Sequence, residues 1–316
     1  MPRRMPRRAA TILPRGVAEA VLRLGDREVK VTNLQKLFWS DLGVTKGALI
    51  EYYVMVAPVL VPHLRDRAMV MRRYPNGATG ESFFMKRAPS PRPAWIETCS
   101  IEHASGSVID FPMIQDLASL VWVVNLGCID LNQWYGRCDA PDRPDYLHFD
   151  LDPVDGRTSF ERVTETALRV HEALTTLGMP SYAKTTGSRG IHVYVPIKRG
   201  PTQHVVWEFA KTFAGELAAR HGDLMTVEYR VARRPAGHVL VDYNQNAWGQ
   251  TLASVYSVRP TPRATVSMPV TWAELRRGIR IEDFHIGNAP ARLRRRGDLW
   301  APLLRARGRF DLGRFG

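Results

Sequence analysis

Two acidic residues two positions apart could bind a divalent metal ion. Asp150 and Asp152 lie in Tyr146–Pro153, whose aromatic and aliphatic residues predict a β-strand that ends at its proline. Side chains alternate between the faces of a strand, so the two carboxylates point the same way, roughly 7 Å apart. They repel each other unless a cation lies between them, and Mg²⁺ and Mn²⁺ suit carboxylate oxygens. A single D-x-D pair is nevertheless common, and alone it does not identify a metal site.

A glycine-containing turn further along the chain could bind phosphate. Residues 184–196 predict a strand, the turn Gly187-Ser188-Arg189-Gly190 and a second strand that carries His192. The glycines would leave backbone N–H groups free to face an anion, and the arginine would add a charged donor. A lone G-x-x-G turn is more often a simple hairpin. An acidic pair followed by a turn of this size suggests nucleotide chemistry.

One helix is predicted between the two motifs. Thr158 and Glu161 form a capping box, an apolar stripe follows at helical spacing, and Gly178 and Pro180 end the helix at about Leu177. Such a strand–helix–strand unit is compact, so we expect the acidic pair and the turn to border one cleft. The two motifs together are a stronger signal than either alone.

Asp242 adds a third acid at the end of another apolar strand, residues 239–243. Three carboxylates that converge on a cleft can hold two divalent ions about 3.5–4 Å apart. One ion would lower the pKa of an attacking hydroxyl, and the other would hold a triphosphate and the leaving pyrophosphate. Arg259, at the end of a strand predicted for residues 253–259, could add positive charge for the phosphates. His192 could donate a hydrogen bond to a phosphate, although a lone histidine on a strand is more often a satisfied polar residue.

Cationic and aromatic side chains in the N-terminal third have two interpretations. Asn33, Lys36 and Lys46 lie on the polar edges of a predicted strand, turn and helix, and they are either solvated surface or a pocket for a terminal phosphate. Phe83 and Phe84 precede cations, an arrangement that suits base stacking with neutralisation of a nucleic-acid backbone. A sheet buried on both faces would explain the two aromatic residues equally well.

The composition is that of a strongly basic globular protein. The 316 residues suffice for one large domain or two lobes, and a net charge of +13 with a pI of about 10.0 favours an anionic polymer as partner. No apolar run is long enough for a membrane span, and no signal-peptide core follows the basic N-terminus, so we expect a cytoplasmic protein without a membrane partner. Cys99, Cys128 and Cys138 lack paired spacing, which predicts buried reduced thiols.

Taken in order, these motifs resemble those of the polymerase domain of bacterial ligase D and its stand-alone relatives, within the archaeo-eukaryotic primase superfamily. The resemblance covers about residues 29–275, and the ordered set is specific although each member is weak. The motifs that carry it are Asn33-x-x-Lys36, Lys46, Arg73-Tyr74-Pro75-Asn76-Gly77, Phe83-Phe84-x-Lys86, Asp150-Leu151-Asp152-Pro153, Thr186-Gly187-Ser188-Arg189-Gly190-Ile191-His192, Val241-Asp242-Tyr243-Asn244-Gln245-Asn246 and Tyr256-Ser257-Val258-Arg259.

The resemblance implies an α/β (α+β) fold, with a primase-like catalytic core of mixed or antiparallel sheets flanked by helices and with an N-terminal sub-lobe. We expect a basic, disordered arm at residues 1–16 and a single primase-polymerase domain at residues 17–316. Within it, a sub-lobe for the 5′-phosphate and template would span about 17–135, and the catalytic core about 136–290, before a basic C-terminal tail. No ligase or nuclease segment is recognised, which favours a free-standing repair polymerase.

The resemblance also implies DNA-templated nucleotidyl transfer that depends on two Mn²⁺ or Mg²⁺ ions, fills short gaps or extends ends, and prefers ribonucleotides. The implied partners are gapped or broken DNA with a 5′-phosphate, NTP or dNTP, a Ku-like end-binding protein and a separate DNA ligase, at the bacterial nucleoid. The implied metal ligands and catalytic residues are Asp150, Asp152 and Asp242. The implied nucleotide-binding residues are Asn132, Thr186, Ser188, Arg189, Gly190, His192, Arg234, Gln245 and Arg259. The implied DNA-binding residues are Asn33, Lys36, Lys46, Arg73, Phe83, Phe84 and Lys86.

The chain departs from the family pattern at three of these positions. Ligase D members tend to carry histidine where Asn132 stands, serine where Thr186 stands and lysine where Arg189 stands. The first two departures leave the strength of ribose 2′-hydroxyl selection open. The segment before the third acid is one residue longer, so either Arg233 or Arg234 could be the phosphate-binding arginine.

Two other functions compete with polymerisation. Three acids and a basic surface also fit a metal-dependent nuclease, which has no use for a triphosphate cradle. A DNA-end-binding module with vestigial catalytic residues would have the same basic surface. Saturable NTP binding argues against the nuclease, and a role that survives Asp150→Ala argues for the end-binding module.

Overall fold

The computed structural model of the chain describes residues 11–103 and 106–315. Within these residues the α-helices are α1 Lys46–Leu64, α2 Leu117–Asn125, α3 Phe160–Thr176, α4 Gln203–Arg220, α5 Trp272–Arg277 and α6 Ala289–Arg296. The strands are β1 Ala20–Leu24, β2 Arg27–Val31, β3 Leu37–Trp39, β4 Val44–Thr45, β5 Met69–Arg73, β6 Phe83–Met85, β7 Thr98–Glu102, β8 Val108–Pro112, β9 Cys128–Gln133, β10 Gly136–Arg137, β11 Ala140–Pro144, β12 Tyr146–Pro153, β13 Tyr182–Thr185, β14 Ile191–Pro196, β15 Met225–Thr226, β16 Val239–Asp242, β17 Leu252–Ala253 and β18 Pro269–Val270. This mixture of strands and helices confirms the predicted α/β (α+β) class.

The described residues form two compact units. The first unit comprises residues 11–134, 253–266 and 284–298, and the second comprises residues 135–252, 267–283 and 299–315. The chain first passes from one unit to the other between residues 134 and 135, next to the expected boundary between sub-lobe and catalytic core at 135/136. Residues 253–266 and 284–298, which follow that boundary in the sequence, belong to the first unit. Residues 1–10 of the predicted basic arm lie outside the described residues. Leu13, also in that arm, donates its backbone N–H to Glu51 Oε1 at 2.7 Å.

Helix α1 forms much of the core of the first unit. The Thr45 side chain caps the helix, as predicted, by accepting a hydrogen bond from a first-turn N–H. The hydroxyls of Tyr52 and Tyr53 donate to the backbone carbonyls of Tyr256 and Ile129 at 2.8 and 2.7 Å. Strands β9, β5 and β6 of a four-stranded sheet, whose order is β17-β9-β5-β6, belong to the same unit. Among the described helices α1 alone has the length and apolar composition of a membrane span, but most of its residues are buried, as in a core helix.

The second unit is built on a six-stranded sheet in the order β15-β16-β12-β14-β13-β18. Its neighbouring strands are antiparallel except β15 and β16, and β12 lies between β16 and β14. Leu147, Phe149 and Leu151 of β12 are fully buried, and the Phe149 ring packs against Phe213 of α4 with ring centres 5.0 Å apart. The alternating side chains of β12 therefore leave the even-numbered residues, including both predicted acids, on the opposite face.

Two local predictions are wrong. Helix α3 is capped by Ser159 rather than by Thr158, whose hydroxyl donates to Asp155 Oδ1 in the preceding turn. The strand predicted for residues 253–259 does not form: β17 ends at Ala253, and Tyr256 has a left-handed backbone with φ of 61°, outside the extended region of a regular strand.

The cysteine prediction holds for one residue of three. Cys128 is a buried free thiol, and burial raises its pKa. Cys99 and Cys138 are both disulfide-bonded, so the expectation of reduced thiols is wrong for them. Spacing along the chain does not determine which thiols are oxidised when no paired motif is present.

Candidate active site

Four ionisable side chains lie in one row across the sheet of the second unit. In the strand register Lys184 on β13 is opposite His192 on β14, and that histidine is opposite Asp150 on β12. Asp150 is in turn opposite Asp242 on β16. Residues directly opposite each other on neighbouring strands point to the same face. We call these four side chains the acid row; no role was predicted for its lysine from the sequence.

Asp150 is buried beside two basic groups. His192 Nε2 lies 3.1 Å from Asp150 Oδ1, and Lys184 Nζ lies 2.6 Å from the other ring nitrogen, Nδ1. Lys184 also donates to Ser267 Oγ at 2.7 Å. Because an ammonium has only donors, this contact makes Nδ1 the acceptor and leaves the proton on Nε2, facing Asp150. The signal that could have identified Lys184 is its place inside a buried strand, where a lysine needs partners.

Asp242 is half-buried and held by three donors. Tyr229 Oη donates to Oδ1 at 2.5 Å, the Asn244 N–H donates to the same oxygen at 2.8 Å, and Gln245 Nε2 donates to Oδ2 at 2.9 Å. Burial and the carboxylate neighbour raise the pKa of Tyr229, so its hydroxyl keeps the donated proton. Arg234 donates to the Glu228 and Tyr229 carbonyls at 2.9 and 3.2 Å. Of the two candidate arginines, Arg233 and Arg234, the second is therefore held next to Tyr229, which donates to Asp242.

The Thr186–Gly190 turn lies against β12. A Cβ atom added to Gly190 would lie 2.2 Å from the Leu151 carbonyl oxygen and 2.7 Å from Asp152 Oδ1, so only glycine allows this approach. The structure thus brings the turn next to Asp152, as the predicted strand–helix–strand unit requires.

The backbone of the turn does not offer the anion site that its glycines suggested. Thr186 Oγ1 accepts hydrogen bonds from the N–H groups of Ser188, Arg189 and Gly190 at 3.0, 3.2 and 3.0 Å. The prediction that these amides are free is therefore wrong, because a side-chain hydroxyl inside the turn competes for them. The side chains of Ser188 and Arg189 are exposed and remain the phosphate-binding candidates.

The donor set of the second unit suits a hard divalent cation. Asp150, Asp152 and Asp242 offer carboxylate oxygens, the ligands that Mg²⁺ and Mn²⁺ prefer. Two like charges directly opposite each other on neighbouring strands are destabilising, and a cation between Asp150 and Asp242 would remove that cost. Over residues 11–103 and 106–315, no three acidic, histidine or cysteine side chains are grouped as a ready metal site. The donor chemistry fits a cation, but the ligands are not gathered as a complete set.

The cations predicted to bind a terminal phosphate lie together in the first unit. The Lys46 N–H donates to the Lys36 carbonyl at 2.8 Å, and the Lys36 N–H donates to the Asn33 carbonyl at 3.0 Å. Lys46 Nζ donates to the Thr32 carbonyl at 2.7 Å. Burial and the nearby charges of Lys36 and Arg73 lower the pKa of Lys46 to about 8. Clustered like charges of this kind favour binding of an anion.

The two predicted stacking residues are exposed, so burial on both faces of the sheet is not their explanation. Phe83 and Phe84 on β6 are 45% and 61% exposed. The Arg73 guanidinium lies 5.3 Å from the centre of the Phe83 ring, and that of Arg72 lies 5.4 Å from the centre of the Phe84 ring. Lys86 is exposed just beyond the strand. Exposed rings with cations behind them are suited to stacking on bases.

A buried carboxylate that sequence analysis overlooked organises the same sheet. Asp130 on β9 lies opposite Arg72 on β5, which lies opposite Phe84 on β6. Arg259 Nε lies 2.9 Å from Asp130 Oδ1, and the Asn132 amide donates to the Asp130 carbonyl at 3.3 Å. We call Asp130, Arg72, Phe84 and Arg259 the arginine cluster. Its signal in the sequence is an acid in the middle of an apolar strand.

Proteins similar to this chain occur in at least two bacteria. A multifunctional non-homologous end joining protein LigD of Mycolicibacterium smegmatis is 32% identical over 277 residues, which are 87% of this chain and 36% of that protein. A bifunctional LigD of Bacillus subtilis is 27% identical over 85% of this chain and 43% of that protein. The chain therefore spans less than half the length of these relatives.

A solved structure matches the fold, and a family model matches most of the sequence. The polymerase domain of Mycobacterium tuberculosis ligase D in complex with DNA superposes with a TM-score of 0.83 at 29% identity, covering 87% of this chain and 98% of that one. Residues 45–300 match the family described as LigD, primase-polymerase domain. The chain belongs to the LigD primase-polymerase domain family.

Proposed function

We propose that this chain catalyses DNA-templated nucleotidyl transfer and fills short gaps or extends ends during DNA repair. The observation that carries the proposal is the strand register that sets Asp150 opposite Asp242, beside a turn that exposes Ser188 and Arg189. Carboxylates for a divalent cation and cations for phosphate are the two requirements of this reaction. Membership of the family supports the same reaction.

The side chains of the second unit would have two roles, metal binding and nucleotide binding. Two bound Mg²⁺ or Mn²⁺ ions would supply Lewis-acid stabilisation of the triphosphate and lower the pKa of the attacking 3′-hydroxyl. Asp150, Asp152 and Asp242 would hold them, with Tyr229 and Gln245 fixing the third carboxylate. The residues that would bind the nucleotide in this unit are Ser188, Arg189, His192, Arg234 and Gln245, with Thr186 and Gly190 shaping the turn.

The side chains of the first unit have proposed roles of their own in binding the nucleic acid and the nucleotide. Asn33, Lys36 and Lys46 would bind the 5′-phosphate of a gap or broken end, and Arg73 would contact the DNA. The other proposed contacts are Phe83 and Phe84 to a template or incoming base, Lys86 to the DNA backbone, Asn132 to the nucleotide and Arg259 to the triphosphate. Gapped or broken DNA, a Ku-like end-binding protein and a separate ligase are the proposed partners, at the bacterial nucleoid.

Selection of ribonucleotides is part of the proposal. The Thr186 hydroxyl is engaged with turn amides, a task that the family's serine could perform equally well. This departure therefore leaves the turn intact. Asn132 is buried and carries both a donor and an acceptor, which suits a ribose hydroxyl.

The test is single-nucleotide extension on a gapped duplex with Mn²⁺ or Mg²⁺. We expect templated addition, faster with rNTP than with dNTP and faster when the downstream strand bears a 5′-phosphate. Equal extension with and without the 5′-phosphate would contradict the proposed phosphate-binding site but not the proposed polymerase activity. Cleavage of the DNA without NTP binding would favour a nuclease, and DNA binding with no addition would favour a vestigial end-binding module.

A further inference from the structure

A buried carboxylate of the first unit touches two groups to which the proposed function gives separate roles. Asp130 is 2% exposed and lies in the middle of β9. Burial raises its pKa, and the charges of Arg259 and Arg72 oppose that rise. A carboxylate taken out of water is costly unless cations and donors surround it. An apolar residue would occupy this position without that cost, so the contacts of Asp130 indicate what its charge does.

The first contact is with the arginine proposed to bind the triphosphate. Arg259 Nε lies 2.9 Å from Asp130 Oδ1 as a close ion pair that lacks the alignment of a hydrogen bond. A guanidinium is a planar fork, and its phosphate affinity depends on the direction of that plane. An anion at Nε restricts rotation at the end of the side chain and so limits the directions that the fork can take.

The second contact leads to the exposed stacking residue. Arg72 Nη1 lies 3.8 Å from Asp130 Oδ2, and Tyr74 Oη donates to the same oxygen at 3.4 Å. The Arg72 guanidinium is also 5.4 Å from the centre of the Phe84 ring, within the range of a cation–π contact, and its Nε donates to Ser82 Oγ at 3.2 Å. Arg72 is thus fixed between the buried acid and the exposed ring.

We propose that Asp130 is a positioning residue for the incoming nucleotide. Through Arg259 it orients the guanidinium that meets the triphosphate, and through Arg72 it holds the Phe84 ring on which a base stacks. The proposal rests on the proposed function, from which it takes the roles of Arg259 and Phe84. Asp130 then influences nucleotide affinity without contacting the nucleotide. The contributions of Arg259 and Phe84 to that affinity both depend on Asp130.

The experiment measures binding of a non-hydrolysable NTP by calorimetry in the presence of Mn²⁺, which needs no turnover. For Asp130→Asn we expect NTP to bind about 10- to 100-fold more weakly, the range for losing a partner of a charged group. Affinity for a gapped duplex should stay within about twofold. In extension assays the KM for NTP should rise with a smaller change in kcat. In an Arg259→Ala background, Asp130→Asn should weaken NTP binding by less than it does alone, because only its effect through Arg72 and Phe84 remains.

Two further variants separate positioning from stability. Asp298→Asn removes another carboxylate of the first unit, one that pairs with Tyr256 and His63, and should leave NTP affinity unchanged. Asp130→Glu keeps the charge but moves it by one methylene, and should bind NTP with intermediate affinity. Unchanged NTP affinity in Asp130→Asn overturns the inference and leaves the proposed function standing. If Asp130→Asn does not fold, wild-type NTP affinity in Asp130→Glu has the same consequence. A wild-type protein that binds no NTP overturns both.

Discussion

The acid row and the arginine cluster are both built on a carboxylate in the middle of a sheet, but their charges are balanced differently. In the arginine cluster, Asp130 is buried and has two guanidinium groups within 4 Å. In the acid row, Asp150 and Asp242 lie opposite each other, with Lys184 and His192 on one side only. The first arrangement has an excess of positive charge, and the second has an excess of negative charge.

This difference indicates which kind of ligand each region lacks. Paired acids without enough positive charge are stabilised by a cation from outside the chain, as a divalent metal would provide. An acid outnumbered by arginines stabilises the arginines without neutralising them, and so leaves charge for a phosphate. Tyr229, Asn244 and Gln245 fix the Asp242 carboxylate with hydrogen bonds, which hold it without neutralising it. In the proposed function, the same residue type would thus bind a metal in one region and hold an anion-binding arginine in the other.

The largest expected effect is the loss of extension in Asp150→Ala. Because this change removes a proposed metal ligand from the acid row, we expect nucleotide addition to fall by about 10³-fold or more. The matched control is Asp139→Asn, which removes an exposed acid of the same unit that pairs with Arg199. Single-turnover extension on gapped DNA measures both. Comparable activity in Asp150→Ala and wild type would show that the acid row is not catalytic.

Neutralising one acid from each region should affect stability in different ways. Asp130→Asn leaves two arginines without their buried partner, so we expect a loss of about 3 kcal/mol in the free energy of unfolding, with or without Mn²⁺. Asp242→Asn relieves repulsion from Asp150 while weakening hydrogen bonds, so its change without metal should stay within about 1 kcal/mol. Mn²⁺ should raise the Tm of wild type and Asp130→Asn but not of Asp242→Asn. Urea and thermal unfolding in EDTA and in Mn²⁺ check this, and a Mn²⁺-dependent rise in Asp242→Asn would contradict the cation-binding role of the pair.

Lys184→Met tests whether the basic end of the acid row matters. The substitution keeps the volume of the buried side chain but removes the donor that engages His192 Nδ1 and Ser267. His192 then loses the contact that fixes its proton beside Asp150, and we expect extension to fall about 10-fold and Mn²⁺ to bind several-fold more weakly. Titration of Mn²⁺ by electron paramagnetic resonance gives the second quantity. The control is Lys198→Met, which removes an exposed lysine that pairs with Asp311.

The sequence was sufficient for the parts of the site that depend on local spacing. The alternation of β12 places Asp150 and Asp152 on one face, and Thr45 caps α1 as its position before an apolar helix indicates. The fold class and the family followed from the order of the motifs along the chain.

Contacts between distant segments could not be predicted in the same way. The role of Lys184 depends on the register of β13 and β14 and on Ser267, 83 residues away. The turn amides donate to the Thr186 hydroxyl rather than facing an anion, and the residue types in the turn do not reveal that competition. The role proposed for Asp130 depends on its pairing with Arg259, 129 positions further along the chain. The left-handed residue Tyr256 interrupts the strand predicted before that arginine.

The smallest expected effect concerns the pH dependence of the proposed 5′-phosphate recognition by Lys46 and its cationic neighbours. The pKa of Lys46 is lowered to about 8, so its ammonium is charged below pH 8 and loses its proton as the pH rises through that value. A terminal phosphate keeps its charge over this range, because its second pKa is about 6. We therefore expect the preference for 5′-phosphorylated over 5′-hydroxyl gapped DNA to be constant from about pH 6.8 to 7.3 and to fall several-fold by about pH 9. Equilibrium binding of the two duplexes measures the ratio. Lys46→Arg keeps its charge throughout and should retain the preference at pH 9, whereas a parallel decline in that variant would assign the pH dependence to another group.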